Sequence, residues 1–369
     1  MIGVRIVGVD LYQARIPLVE PFRIALGLIH EGSFLFVRLR TDSGIDGWGE
    51  ATPISQITGD TATIQIAAAT DLARLLLDKD PLDIESRVAE MSRFLAFNSS
   101  VRAAFDLALF DVAGKVAGLP LYALLGGGKR ELRTDVTIGI DEPAKMAERA
   151  IELVRRGVSA IKVKLGTTAN EDVRRIESIR HAVGPDLVLR IDANQGWDFP
   201  TAVQVLRRLE SSGIEYCEQP VARWDLANFR RLRERSTIPI MADESVFDHH
   251  DAFKLVAEGA VDYLNIKLAK SGGIHTALRI NAVAEAAGAK CMLGCMLETR
   301  LGLTAAAHLA SARPNIRYVD LDSHLQLAKD PIVGGARWDG DSIALADEPG
   351  IGATVEAAFL GDCELKTVG

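Results

Sequence analysis

Two lysines stand two residues apart in "SAIKVKLG" (159–166). Residues i and i+2 of a strand share a face, so Lys162 and Lys164 point one way and Ile161, Val163 and Leu165 the other. Two ammonium groups on one face of a buried strand are costly unless that face opens on a polar site. A third lysine, Lys267, ends the run "DYLNIK", and carboxylates end three other runs: Asp192 with Asn194 in "RIDAN", Glu218 in "EYCEQ" and Asp243 in "IMADES". Three carboxylates at one height on neighbouring strands repel each other unless a cation joins them. An all-oxygen set suits Mg²⁺, with Mn²⁺ the alternative, rather than Zn²⁺. Glu244 points away along its strand and is expected to support the site from behind. Lys270, just past its strand in "AKSGG", is expected to be structural. A metal that binds a carboxylate acidifies the adjacent α-proton and stabilises the resulting enediolate. One lysine can then remove that proton and another, across the site, can return one to the opposite face. Positive neighbours would lower such a lysine's pKa toward ~7–8. This chemistry inverts a carbon α to a carboxylate.

These residues need a scaffold that brings strand ends together. Short β-branched runs recur roughly every 24–27 residues from "TDVTIGI" through "SAIKVKL", "LVLRIDA", "GIEYCEQ", "PIMADES", "DYLNIKL" and "KCMLGCM" to "IRYVDLD", with helical patterns between them. Eight such units predict the α/β class and a parallel (β/α)₈, TIM-like barrel, whose active site lies at the C-terminal strand ends. The second and sixth strands then face each other across the mouth, which sets Lys164 opposite Lys267. The preceding chain differs. "VRIVGVDLYQARI", "SFLFVRLRT" and "GIDGWGEAT" read as strands, with "TDSG" (41–44) as a hairpin turn, followed by helical patterns over 62–77 and 99–117. Residues 1–128 are therefore expected to form an α+β capping domain to which 342–369 return, and 129–341 the barrel.

The chain has 369 residues, a net charge of −8 and four cysteines without metal-ligand spacing. The acidic balance argues against nucleic acid or an anionic membrane as partner. Reduced thiols, an N-terminus unlike a signal peptide and the absence of an apolar run of ~18 residues point to the cytoplasm. A homo-oligomer is expected.

The combination of "KVK", "DAN", "EQP", "ADES" and "NIKLAKSGGI", with "AAFDLALFDVAGKVAGLPLYALLGG" in the cap, resembles the enolase superfamily, muconate-lactonizing-like branch. The resemblance covers nearly the whole chain. It implies Asp192, Glu218 and Asp243 as ligands of one Mg²⁺ per subunit, and Lys164 and Lys267 as the acid/base pair. It also implies that Lys162 contacts the substrate carboxylate or enolate. The eighth run ends "VDLDS", so Asp320 and Asp322 share the inward face and can pair with an ammonium group. That resembles the DxD motif of the dipeptide epimerase family, whose members invert the C-terminal residue of L,L-dipeptides. Thr137, Cys295 and Leu297 match positions lining the dipeptide site. Alanyl-glutamate epimerases carry an arginine where this chain has Gly27, in "PFRIALGLIHEG" (21–32), a flexible loop over the substrate. The apolar neighbours Ile24, Leu26, Leu28 and Ile29, with Ile54 and Ile57, imply a preference for hydrophobic dipeptides, with Arg23 directed to solvent. Four other reactions compete on this scaffold. o-Succinylbenzoate synthesis and N-succinylamino acid racemisation use substrates without an ammonium group for Asp320 and Asp322, as does muconate cycloisomerisation. Acid-sugar dehydration uses a histidine on the seventh strand, where "KCMLGCMLE" has none. A phosphate site at "SGG" (271–273) rests on a weak motif.

Overall fold

Alternating apolar residues near the N-terminus make a long antiparallel hairpin. Strands β1 (Ile6–Ile24) and β2 (Gly27–Thr41) pair with each other, and β3 (Gly47–Ala51) pairs with β2. The computed structural model describes residues 3–369. Val9, Leu11, Leu35, Val37 and Leu39 line one sheet face and pack on helices Ala62–Leu76, Ile84–Phe94 and Ser99–Ala117. The helix Ser99–Ala117 is buried on nearly every side because it fills the seam between cap and barrel. The segment 21–32, expected as a loop, is the end of the β1–β2 hairpin: Phe22 pairs with Ile29 and Ile24 with Gly27. The paired backbone leaves only Ala25 and Leu26 as its turn, which is why it reads as structure rather than loop.

A short strand β4 (Leu132–Arg133) precedes the barrel. The barrel strands are β5 (Val136–Ile138), β6 (Ala160–Lys164), β7 (Val188–Asp192), β8 (Ile214–Glu218), β9 (Ile240–Ala242), β10 (Tyr263–Lys267), β11 (Lys290–Gly294) and β12 (Ile316–Asp320). They form one parallel eight-stranded sheet in sequence order, with helices on the outside. The barrel closes where the Asp135 amide donates to Val319 O at 3.2 Å and the Leu321 amide to Thr134 Oγ1 at 2.8 Å. β5 and β9 are shorter than their sequence runs, since the residues that follow turn out into mouth loops.

The C-terminal tail divides its contacts. Ser342–Ala344 pairs with β4 at the barrel's base, while Glu364–Val368 adds an edge strand to β1 of the cap. Carboxylates from the cap lock onto barrel helices. Glu50 accepts from the amides of Thr299 (2.7 Å) and Gly302 (2.9 Å) at the start of helix Arg300–Ala312. Asp106 accepts from the Ile274 and His275 amides at the start of Ile274–Ala286. Each satisfies helix-end donors that would otherwise be orphaned at a buried interface.

Glu298 is buried beside Glu50. Burial, then Glu50, pushes its pKa up to about 7 from the ordinary carboxylate range. The folded state therefore holds a proton that the unfolded chain releases near pH 4.5. That stabilisation is complete at lower pH and is lost as pH rises through about 7. Glu298→Gln should flatten the fall in folding stability between pH 5 and 8, by no more than roughly 3 kcal/mol. An unchanged slope in thermal melts would show that Glu298 does not titrate in this window.

Candidate active site

The ladder register sets the height of each side chain. Lys164 lies beside Asp192, and Asp192 beside Glu218, across β6, β7 and β8. Asp243 follows β9 and completes the arc. Ile161, Val163 and Leu165 are buried against the helices, so the alternation of "SAIKVKLG" turns both lysines inward. Lys162 Nζ is enclosed by Glu218 Oε2 (2.6 Å), Asp320 Oδ2 (2.8 Å) and Asp192 Oδ2 (3.4 Å). Lys164 Nζ meets Asp192 Oδ2 at 2.6 Å. From the other side, Lys267 Nζ meets Asp243 Oδ2 at 2.9 Å and Lys270 Nζ meets Asp243 Oδ1 at 2.6 Å. Lys164 and Lys267 thus end on opposite members of one carboxylate arc.

One oxygen from each of Asp192, Glu218 and Asp243 lies within 4.8 Å of the others, and all three residues are buried. Glu218 Oε2 and both Asp243 oxygens approach lysine ammonium groups but make no aligned hydrogen bond. Buried carboxylate oxygens left in this way, in an all-oxygen set, fit a hard divalent cation. Supporting groups fix their rotamers. Asn265 Nδ2 donates to Glu218 Oε1 at 2.7 Å, and Gln219 Oε1 accepts from the Asp243 amide at 2.8 Å. Asn194, in a left-handed backbone conformation (φ 39°), donates to Glu244 Oε1 at 3.2 Å. Glu244 therefore stands behind the arc as its orientation in sequence implied. Burial, then Asp243, pushes Glu244 up to about 8, and burial with Asp192 pushes Glu218 up to about 7. Burial opposes the charged form of Asp243, yet Lys267 and Lys270 hold it well below the carboxylate range.

Carboxylates govern the charge of Lys267 and Lys162. Burial does lower Lys267, but Asp243 and Glu218 outweigh it and hold the ammonium above its ordinary value. For Lys162, Asp320, Glu218 and Asp192 likewise outweigh burial.

Asp320 and Asp322 each commit one oxygen to the protein. Asp320 Oδ2 accepts from Lys162, and Asp322 Oδ2 accepts from the Thr137 amide at 2.6 Å. Asp320 Oδ1 has no partner among the described residues, and Asp322 Oδ1 meets only the Cys295 thiol, at 3.9 Å. Burial tends to neutralise both. Lys162 keeps Asp320 at about 2, whereas Asp322, facing Asp320, rises to about 6. Thr137 thus enters through its backbone. Leu297 is buried and abuts the hairpin: a Cβ placed on Gly32 would lie 3.1 Å from Leu297 Cδ2. On the far side a Cβ on Gly166, just past Lys164, would lie 2.7 Å from Ala25 Cβ. The hairpin therefore bridges the ends of β6 and β11 and covers the mouth between them. The Ile140 amide, donating to Arg23 O at 2.9 Å, ties it to the loop after β5. Arg23 is exposed, and Ile57 is buried in the turn Ser55–Thr58 beside Leu268–Ser271.

Residues 6–126 match the mandelate racemase/muconate lactonizing enzyme N-terminal domain, and residues 145–359 match the enolase C-terminal domain-like family. The chain belongs to the mandelate racemase/muconate lactonizing enzyme family of the enolase superfamily. It superposes with a TM-score of 0.98 on a dipeptide epimerase from Cytophaga hutchinsonii complexed with Mg and D-Ala-L-Val, at 40% identity over 99% of this chain and 100% of that one. A dipeptide epimerase from Enterococcus faecalis V583 complexed with Mg and L-Leu-L-Tyr gives a TM-score of 0.93 and 42% identity, covering 95% of this chain and 99% of that one. An L-Ala-D/L-Glu epimerase from Bacillus subtilis is 40% identical over 98% of this chain and all of its own length.

Three supporting groups of this enolase-superfamily site were absent from the sequence reading. Asn265 and Arg190 each precede a singled-out residue by two, so the i, i+2 rule that found the lysines also places them inward. Arg190 lies under the site, paired with Asp135 at 2.8 Å and flanked by the rings of Tyr216 and Tyr318 at 5.4 and 5.3 Å. Gln219 gave no such signal, because its backbone is left-handed (φ 40°) and leaves the strand pattern. Gly294 shows how tightly Asn265 is held. A Cβ there would lie 2.6 Å from Asn265 Oδ1, inside contact distance. Gly294→Ala should displace the amide that orients Glu218 and lower metal affinity by roughly 10–100-fold with little loss of fold. Calorimetric titration with Mg²⁺ measures this; wild-type affinity would show that Asn265 does not orient the ligand.

Proposed function

We infer that this chain is a Mg²⁺-dependent dipeptide epimerase that inverts the α-carbon of the C-terminal residue of L,L-dipeptides. The observation that carries it is the pair Asp320 and Asp322: each has one oxygen held by the protein and the other left for a cation, beside lysines on both sides of the carboxylate arc. A free α-ammonium group matches that pair in charge and donor count. Asp192, Glu218 and Asp243 would hold one Mg²⁺ per subunit, with Mn²⁺ as a substitute, and the ion would supply Lewis-acid stabilisation to the charge on a substrate carboxylate. Lys164 and Lys267 exchange the α-proton, one removing it and the other returning one to the opposite face. Lys162, clamped by three carboxylates, holds negative charge on the substrate from below. Thr137 positions Asp322, and Cys295 and Leu297 line the amino-terminal side.

Hydrophobic dipeptides are the preferred substrates in this reading. The hairpin turn that meets Gly166 through Ala25 carries Ile24 and Leu26 beside it, and Arg23 is exposed. Four free cysteines and an acidic composition support a cytoplasmic protein, and no described helix is long and apolar enough to cross a membrane. Phe97 and Trp224, at 86% and 77% exposure, support a homo-oligomer that covers them.

The ammonium assignment is tested by blocking it. L-Ala-L-Leu should epimerise, and its N-acetyl derivative should lose about 100-fold or more in kcat/KM. Equal rates on the two would mean that Asp320 and Asp322 serve another purpose.

A further inference from the structure

Cys295, Asp320 and Asp322 form a second group with ligand geometry, apart from the Asp192–Glu218–Asp243 arc. One ligand-type atom of each lies within 4.8 Å of the other two, and all three side chains are buried. Asp320 Oδ1 has no partner among the described residues, and Asp322 Oδ1 faces Cys295 Sγ at 3.9 Å. Tetrahedral zinc with bonds of ~2.3 Å to sulfur and ~2.1 Å to oxygen needs a sulfur–oxygen separation of about 3.6 Å. The Cys295–Asp322 pair is therefore within a few tenths of an ångström of that separation, and Asp320 lies within 4.8 Å of both. The two groups differ in chemistry. An all-oxygen arc selects hard cations, whereas a thiol between two carboxylates selects thiophilic ones. Lys162 Nζ, near Asp320, opposes a second cation, but Asp192 and Glu218 on its other side already share that charge.

We propose that Cys295, Asp320 and Asp322 bind a thiophilic divalent cation, Zn²⁺ or Cd²⁺, and that this cation inhibits the enzyme by occupying the place of the substrate's amino group. On binding, the Cys295 thiol gives its proton to solvent and its sulfur bonds the metal; no redox step occurs. The competition rests on the ammonium assignment above, while the binding does not.

Cd²⁺ is the probe, because a thiolate–cadmium bond has its own ultraviolet charge-transfer absorption. Full-length protein carrying Cys363→Ser, which removes the partly exposed thiol, is saturated with Mg²⁺ and titrated with Cd²⁺. One equivalent should produce the absorption. Cys295→Ser should abolish it while the Mg²⁺-induced thermal shift persists, and Asp322→Asn, which keeps the thiol, should weaken Cd²⁺ binding about tenfold or more. In turnover assays Zn²⁺ should compete with L-Ala-L-Leu. Absorption that survives Cys295→Ser, absorption abolished by excess Mg²⁺, or no absorption at all would overturn the site. Absorption with Zn²⁺ inhibition that dipeptide does not relieve would overturn the competition. A protein that shows the absorption but turns over no dipeptide would keep the metal site and refute the epimerase reading instead.

Discussion

Alanine in place of either Lys164 or Lys267 should stop epimerisation without stopping all proton exchange. The two ammonium groups end on opposite members of the carboxylate arc, Asp192 and Asp243, at 2.6 and 2.9 Å. In the proposed reaction each therefore serves the substrate α-carbon from its own side. Inversion needs both, and loss of a positioned acid/base group lowers the rate by roughly 10²–10⁴-fold. Exchange of the α-proton with solvent needs only the lysine on the side where that proton stands. In D₂O, one alanine variant should incorporate deuterium into the L,L-dipeptide and the other into the L,D-dipeptide, with almost no interconversion. Proton NMR of each purified epimer distinguishes these outcomes. Loss of exchange with both epimers, in variants whose melting temperature still rises with Mg²⁺, would remove the two-sided assignment. So would retained interconversion in either variant.

Asp322→Asn should cost about 100-fold in kcat/KM for a free-amine dipeptide while leaving the fold nearly intact. Asp322 Oδ2 accepts from the Thr137 amide, and an asparagine oxygen can keep that bond. The other oxygen becomes an NH₂ group that faces the substrate ammonium with the wrong sign. Losing a charge-assisted hydrogen bond of this kind costs roughly 2–3 kcal/mol. Asp322 is preferred to Asp320 for this test, because Asp320 also holds Lys162 at 2.8 Å and its loss would strand a buried ammonium. Steady-state kinetics on L-Ala-L-Leu, with a thermal melt as control, measures the effect. Unchanged kcat/KM would show that the pair does not hold an amino group.

Period-2 and period-3.6 patterns made the barrel readable, because each β-branched run between Ala-, Leu- and Glu-rich segments is one repeating unit. The same alternation carried Lys162, Lys164, Asp192, Glu218, Lys267, Asp320 and Asp322 to one mouth. Three features were not readable in that way. The helix Ile84–Phe94 is short and mostly polar and buries only Arg87, Val88 and Met91, so few apolar residues mark it. The hairpin end over 21–32 owes its order to pairing across the turn and to packing on Gly166 and Leu297, which are distant in sequence. The protonation of Lys267 depends on Asp243 and Glu218 lying close to one nitrogen, and a linear pattern of charges does not give their distances.

Deuterium incorporation into a mixed pool of L,L-dipeptides, with Mg²⁺ in D₂O, tests the central claim most directly. N-succinylamino acids are added to the same pool, and each product is read by mass spectrometry and its stereochemistry by NMR. The account predicts deuterium at the C-terminal α-carbon of hydrophobic dipeptides, accumulation of their L,D epimers, loss of both on chelation, and little exchange of the N-succinyl compounds. Exchange confined to the N-succinylamino acids, with every dipeptide unlabelled, would contradict it.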